Sequence, residues 1–539
     1  MTIDLVLLSD EQTLLPWSLG KTFITLPTNE SVAKCLQHNL TNSDSYAWLF
    51  WDVSLGLPDH DLIQKLLSSQ DDVWHAGLKM GLAGQPDFID FVSPTWMLNR
   101  DPDPAIDATS WRMSLRCCLI RTEVLRQMGG PVTGFKTLEG ASLEMGHRYI
   151  QQGVFIRHIP ELLPKNSVII PPVIPIEDQL RFIKIRYGTK WMRWAIVRAA
   201  LTGNAAVKNL AHASSAMGKI SMQQGKPVFQ HRLETPARLT GDEKVSVLIP
   251  TINRYPYLRV LLDQLRHQTI KPFEILVIDQ TPAQLRDGQL PQEFADLPLR
   301  WFTLEQAGQC SSRNFGLKQA KGDFVLFMDD DDEIPHDLIE AHLTVLTILG
   351  NSVSNGGANE VNAGPLPVSF TFQRISDVFP AGNTLIKKAI LQKSGLFDLA
   401  YDHGQRADGD LGMRIYLSGE RMFLNPEITV LHHHAPQGGL RTHKARVNTR
   451  AASRKKITLR VLPSVSDIYL GRRYFTSKQV REMLWISVLG TFSLHGPRWK
   501  QIAKAVVSFF ALPNSLCQIH ERNRKVDEMV RTYPQIPNL

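Results

Sequence analysis

The chain has 539 residues, 43% of them hydrophobic, 8% aromatic and 21% charged, with 35 Gly and 32 Pro; it is long enough for about three ordinary domains and is neither collagen-like nor low-complexity. Sixty Lys and Arg against 52 Asp and Glu give a formal net charge of +8, which favours an anionic partner without choosing among nucleotide, lipid headgroup and nucleic acid. Five scattered cysteines (Cys35, Cys117, Cys118, Cys310, Cys517) without C-x-x-C spacing argue against a disulfide framework and a cysteine zinc site, and fit a reducing, cytoplasmic compartment.

The apolar run Ile3 to Leu8, with Asp4 where a signal peptide would be basic, is expected to be a first strand. No stretch reaches the roughly 18 uninterrupted apolar residues of a spanning helix; the most apolar windows, around Trp194 and Val506, are broken by Arg198 and Lys504. Leu180, Ile183, Tyr187, Trp191 and Trp194 recur at three- and four-residue spacing on one helical face, flanked by Arg186, Lys190 and Arg193. Such a helix either docks on its own domain or lies on the anionic inner face of the plasma membrane.

Val245 to Pro250 is a β-branched run ended by proline, followed by Leu258, Leu261, Leu262 and Leu265 at helical spacing and by a second buried strand, Phe273 to Asp279. Strand, helix and strand in so short a span predict a right-handed βαβ unit, whose ligands bind beyond the carboxyl ends of the strands, near Pro250 to Arg254 and Asp279. A third strand, Phe324 to Met328, runs into Asp329, Asp330, Asp331 and Asp332. Four adjacent carboxylates repel one another unless a cation offsets them, and Mg²⁺ or Mn²⁺ favours such oxygens together with phosphate. A solvated acidic turn that caps the next helix is the alternative.

Asp408-Gly409-Asp410-Leu411 follows, then a strand from Asn425 that ends in His432, His433 and His434; alternation puts His432 and His434 on one face and His433 on the other. Leu440 to Lys444 adds positive charge, and Arg441 to Arg460 is strongly basic, leading to a helical tail with apolar segments over Asp467 to Phe475 and Val480 to Phe492. Pro513 and the mixed-charge segment from Glu521 predict a last helix followed by coil.

In order and spacing, Val245 to Arg254, Gln268-Thr269, Glu274 to Asp279, Ser312-Arg313-Asn314-x-Gly316-Leu317, Gly322-Asp323, Asp329 to Asp332 and Asp408 to Arg414 resemble the family 2 glycosyltransferases of the GT-A fold. The resemblance spans about 200 residues, 245 to 445. It implies a nucleotide-diphospho-sugar donor, an inverting transfer, and a saccharide or lipid-linked saccharide acceptor in cell-surface polysaccharide synthesis. Carried onto this chain, it puts Pro250, Thr251, Asn253, Arg254, Asp279, Arg313, Asn314, Asp329 and Asp330 on the donor and Asp331 and His432 on the metal. It makes Asp408 the base that takes the acceptor proton, with Asp410 as supporting acid. Gln280-Thr281-Pro282 departs from the acid and small polar residue usual after Asp279, which leaves base selectivity open.

The chain also repeats itself: Ala141 to Glu161 aligns without a gap on Ala407 to Glu427, Arg148 falling on Arg414 at an offset of 266, and Leu49 to Pro58 matches Leu326 to Pro335 at an offset of 277. The expected fold class is therefore α/β, with tandem GT-A-like domains of mixed, mainly parallel sheets. The expected division is a degenerate, non-catalytic copy over 1–170, a basic helical linker over 171–243, a catalytic domain over 244–445 and a basic helical region over 446–539. In the first copy Val53 and Ser54 stand for Asp330 and Asp331, Ser142 for Asp408, and Asn166, Ser167 and Val168 for the three histidines. A non-catalytic sugar-nucleotide-binding scaffold of a glycan-assembly complex is the alternative function. Nucleic-acid binding has only the basic pI in its favour, since no recognition module accompanies it.

Overall fold

The computed structural model describes the chain except residues 12–13, 87–96, 203–208, 211–212, 214–227, 232–238, 240, 351–352, 362–365, 436–456, 459 and 493–495. The first part comprises β1 (Ile3–Leu8), β2 (Thr22–Thr25), α1 (Asn29–Asn39), β3 (Ala47–Asp52), α2 (His60–Leu67), β4 (Val73–His75), β5 (Ala108–Thr109), β6 (Cys117–Arg121), α3 (Thr122–Met128), α4 (Leu138–Gln151) and β7 (Ile156–His158). Its strands form one sheet in the order β2-β1-β3-β6-β4-β7-β5. Then come α5 (Ile176–Tyr187) and α6 (Thr189–Thr202).

The second part runs β8 (Val245–Thr251), α7 (Tyr255–Arg266), β9 (Glu274–Asp279), α8 (Leu290–Glu293), β10 (Leu299–Thr303), α9 (Gln309–Gln319), β11 (Phe324–Met328), β12 (Asp332–Glu333), α10 (Leu338–Leu349), β13 (Val353–Glu360), β14 (Arg374–Ile375), β15 (Asn383–Lys387), α11 (Lys388–Ser394), α12 (Ala407–Leu417) and β16 (Met422–His432). Its sheet has the order β10-β9-β8-β11-β15-β13-β16-β12, with β14 on β16. Helices α13 (Val465–Tyr474), α14 (Ser477–Leu489), α15 (Arg498–Phe510) and α16 (Leu512–Thr532) complete the chain.

The two sheets share one plan. In each, a central strand (β1 or β8) pairs parallel with both neighbours, and the last strand of that parallel block (β3 or β11) pairs antiparallel with the strand that precedes a seven-residue helix. The registers coincide too: Ala108 opposes His158 and Thr109 opposes Arg157 as Arg374 opposes Leu424 and Ile375 opposes Phe423, each residue 266 positions from its counterpart. Parallel pairing prevails only in the blocks β2-β1-β3 and β10-β9-β8-β11; beyond them the pairings are antiparallel except β4 with β7 and β13 with β16, so the sheets are mixed rather than mainly parallel. The strands of the parallel blocks that pack on both faces, β1, β3 and β9, are wholly buried, which is why they read as continuous apolar runs.

The face predicted over Leu180 to Trp194 is two helices, broken where Gly188 takes φ 89°. Leu180 and Ile183 are fully buried, Trp191 packs against the core, and the Tyr187 hydroxyl lies 3.1 Å from His147 Nε2. Asp178 accepts from the Lys136 and Thr137 amides at 2.8 and 2.9 Å, tying α5 to the start of α4. That apolar face thus packs largely against the protein itself, as a helix docked on its own domain would.

Candidate functional site

A cavity of about 470 Å³ opens where β8 and β11 end, the place a parallel sheet offers to a ligand. Pro250, Thr251, Arg254, Arg313, Asp329, Asp330, Asp331, Asp408 and His432, all singled out from the sequence, line it, joined by Gln280, Gly382, Arg406 and His434.

The four aspartates are neutralised unequally. Asp330, 4% exposed, accepts from Thr251 Oγ1 at 2.7 Å and from Arg254 at 2.9 Å; burial pushes its carboxyl up to about 6, against the pull of Arg254. Asp331 takes Arg254 at 2.9 Å on one oxygen and the Ala435 amide at 2.8 Å on the other. Asp332 lies 2.7 Å from His432 Nδ1; burial raises its carboxyl, while the His432 imidazole, which burial alone would lower, is raised by Asp332 and the neighbouring aspartates. Asp329, the most open of the four, accepts from Arg313 Nη2 at 2.9 Å.

Asp329, Asp332 and His432 bring one ligand atom each within 4.8 Å of one another, a set of two hard oxygens and an imidazole that fits Mn²⁺ or Mg²⁺. His432 was expected there. Asp332 joins it in this set because β12 pairs Asp332 directly with His432, while Asp331, with one oxygen on Arg254 and the other on the Ala435 amide, lines the cavity 3.7 Å from His432 Nδ1. His432 and His434 line the cavity with ring centroids 4.4 Å apart, whereas His433 turns away to Glu333, as alternation predicted.

Other expected contacts fall outside the cavity. Asp279 is 1% exposed and accepts from the Tyr255 hydroxyl at 2.8 Å and the Thr281 amide at 2.9 Å, so Gln280, the departure noted in the sequence, faces the cavity instead. Asn253, at φ 54°, donates its amide to Thr281 Oγ1 and shapes the turn from β8 into α7. Asn314 donates to the Phe397 carbonyl at 2.8 Å and accepts from the Phe397 amide at 2.9 Å, fixing the loop ahead of α12. The positive charge expected at Leu440 to Lys444 lies outside the described residues.

Asp408 sits in the first turn of α12, open to the cavity yet enclosed by enough protein that burial raises its carboxyl above the ordinary range. Asp410 points the other way: fully buried, it accepts from Arg414 at 2.9 and 3.0 Å and from the Tyr474 hydroxyl at 2.7 Å. Tyr474 belongs to α13, which also gives Tyr469 to Asp398 at 3.0 Å and Asp467 to Arg406 at 2.7 Å. Sequence reasoning missed this brace, since nothing local joins residues more than sixty positions apart.

It also missed Gly382. A Cβ there would stand 2.8 Å from Asp329 Oδ2, so glycine leaves that carboxylate open. In the first copy the residue 266 positions earlier is Arg116, whose guanidinium pairs with Asp52, the counterpart of Asp329, and with Glu139. A side-chain cation thus stands beside the one aspartate the first copy kept. The repeat alignment held this signal, Gly against Arg at one position.

Residues 246–377 match the family model described as glycosyl transferase family 2. Among characterised or named proteins, glycosyltransferase GlyA of Streptococcus pneumoniae is 37% identical over 101 residues, 18% of this chain and 14% of that protein. The poly(ribitol-phosphate) beta-N-acetylglucosaminyltransferase TarS of Staphylococcus aureus is 27% identical over 191 residues, a third (33%) of each chain. The chain therefore spans a third or less of the length of these two relatives. The crystal structure of S. aureus TarS 1-349 in complex with UDP-GlcNAc superposes with TM-score 0.34 and 20% identity, over 54% of this chain and 92% of that one. Residues 246–377, which include the ends of β8 and β11 where the cavity opens, are thus similar to glycosyl transferase family 2.

Proposed function

We propose that the protein is a metal-dependent inverting glycosyltransferase that moves a sugar from a nucleotide-diphospho-sugar to a saccharide or lipid-linked saccharide acceptor of a cell-surface polysaccharide. The observation that carries this is a single cavity lined both by Asp408 and by Asp329 and His432 of the ligand set. A carboxylate that can take a proton and a set that can hold a cation on the walls of one cavity match what displacement of a diphosphate requires. The acceptor hydroxyl gives its proton to Asp408 as its oxygen bonds to the anomeric carbon, and the bond from that carbon to the diphosphate breaks on the opposite side. Asp410, held by Arg414 and Tyr474, keeps the first turn of α12 in place for that transfer. Asp329, Asp332 and His432 would hold Mn²⁺ or Mg²⁺, which supplies positive charge for the departing diphosphate. A relative named for transfer of N-acetylglucosamine to poly(ribitol-phosphate) supports a polymeric acceptor.

Residues 1–170 are assigned as a non-catalytic copy, because Arg116 stands at Asp52 where the second copy has Gly382. We assign residues 244–445 to the catalytic domain, 171–243 to a linker and 446–539 to a helical region that braces α12. The enzyme works in the cytoplasm, in peripheral contact with the anionic inner face of the plasma membrane.

Differential scanning fluorimetry with UDP, GDP, TDP and CMP, with and without Mn²⁺, tests this reading. One nucleotide should raise Tm only with metal; Asp332→Ala and Gly382→Arg should abolish the shift, and Asp408→Ala should keep it. If no nucleotide shifts the wild-type protein under any metal condition, the scaffold and the transferase both lose their donor site.

A further inference from the structure

Helix α15 is turned inside out. Its buried positions are Lys504 and Ser508, 4% and 1% exposed, and Ser508 Oγ donates to the Thr491 carbonyl at 2.8 Å. Its exposed apolar positions are Trp499, Ile502, Val506, Phe509 and Phe510, between 50% and 77% accessible. At about 100° per residue these five fall within an arc of roughly 100°, opposite Lys504 and Ser508. Single exposed apolar side chains are ordinary, but a continuous stripe whose polar face is turned inward marks an interaction surface. Trp485 and Leu489 near the end of α14, 52% and 49% exposed, add to the apolar surface of this helical region.

The charge around the stripe selects its partner. Among the described residues from Ser477 to Phe510 the exposed charged side chains are Lys478, Arg481, Arg498 and Lys500, all positive, and the single acid of that stretch, Glu482, is buried against Arg198. An apolar and aromatic stripe in a segment whose exposed charges are positive complements an anionic bilayer surface, where the rings sit among the headgroups. With 13 residues, α15 is about 20 Å long, shorter than a hydrocarbon core, and no single described helix is long and apolar enough to cross a membrane. α15 and α16 meet at a bend of 58°, so the two do not form one straight span.

We propose that α15, with the end of α14, is an in-plane docking helix that seats its outward face in the headgroup layer of an anionic membrane. This gives the membrane contact of the proposed function a place in the fold. The test is co-sedimentation of the full-length protein with vesicles of phosphatidylcholine alone and of phosphatidylcholine with phosphatidylglycerol. The wild-type protein should pellet with the anionic vesicles and far less with the neutral ones. Replacing Trp499, Phe509 and Phe510 by Ser should weaken that binding at least tenfold, as should Arg498→Glu with Lys500→Glu; all five side chains are exposed, and unchanged Tm and unchanged nucleotide shifts check the fold. The proposal fails if the wild-type protein does not pellet with anionic vesicles, if the variants bind as well as it does, or if light scattering shows that the serine variant only dissolves a dimer. A nucleotide shift without vesicle binding overturns this inference alone, and vesicle binding without a nucleotide shift overturns the transferase reading alone.

Discussion

Asp408 and Asp410 are two residues apart on one helix and do opposite things. Asp410 has its charge answered by Arg414 and Tyr474 in the interior, whereas Asp408 keeps a carboxylate facing the cavity, with the Gly409 amide donated to it at 2.8 Å. Burial raises the Asp408 carboxyl, so it holds its proton to a higher pH than a free aspartate does. A base acts only when ionised; turnover should therefore climb as pH rises through that elevated value, with the acidic limb displaced upward from the ordinary Asp range near 3.9. Asp408→Asn should cut kcat by about 10² to 10⁴. It should also remove the limb from the residual rate, leave KM for the donor little changed, and be read from a pH profile of kcat. An acidic limb that persists unaltered in Asp408→Asn would assign the titration to another group.

At the scale of elements, the helical region after the second sheet acts as a clamp on α12. Ser464 and Thr476 each open a capping box, so α13 and α14 begin at fixed residues, and α13 delivers Tyr469, Arg473 and Tyr474 to Asp398 and Asp410. Tyr474→Phe removes the hydroxyl bound to Asp410 and leaves a buried carboxylate oxygen with one partner fewer, a loss of about 1–3 kcal/mol. We expect a lower Tm, and a kcat reduced several-fold at unchanged donor KM, because Tyr474 positions α12 without touching substrate. Equal KM and kcat in the variant and the wild-type protein would limit the hydroxyl to stability.

Legibility divides along the same line. Strands β8, β9 and β11, the acidic turn and the DGD turn could be read because each is a local pattern, an apolar run buried on two faces or a carboxylate at its end. The split at Gly188 was hidden because the apolar spacing of Leu180 to Trp194 runs straight through it. The closeness of Asp332 to His432 could not be read, since it depends on which residue the strand pairing sets opposite that histidine. The clamp lay beyond reach because its partners meet only through the tertiary fold.

At the scale of the whole molecule the two copies meet as the halves of an isologous dimer do, with reciprocal contacts. Gly419 packs on the Asp107 carbonyl, and Gly153, 266 positions before Gly419, packs on the carbonyl of Gln373, 266 positions after Asp107. Phe155 and Phe423 meet edge to face at 5.2 Å, and Arg421, the counterpart of Phe155, pairs with Asp71 of the first copy at 2.8 Å. A pseudo-two-fold axis therefore relates the copies, and the first copy covers the β14 edge of the second with its own α4. Such an interface makes the two sheets one cooperative unit, so calorimetry of the full chain should show a single transition for both. Gly419 is the place to challenge it: at φ 85° it favours glycine, and a Cβ would lie 2.4 Å from the Asp107 carbonyl oxygen. Gly419→Ala should destabilise the chain by about 1–3 kcal/mol through strain and overpacking. If the copies are coupled, the transition stays single and moves down in temperature as a whole. If it divides, with the first sheet melting at its former temperature, the interface is only an adhesion between independently folded halves, and the first copy supports the second less than its reciprocal contacts imply.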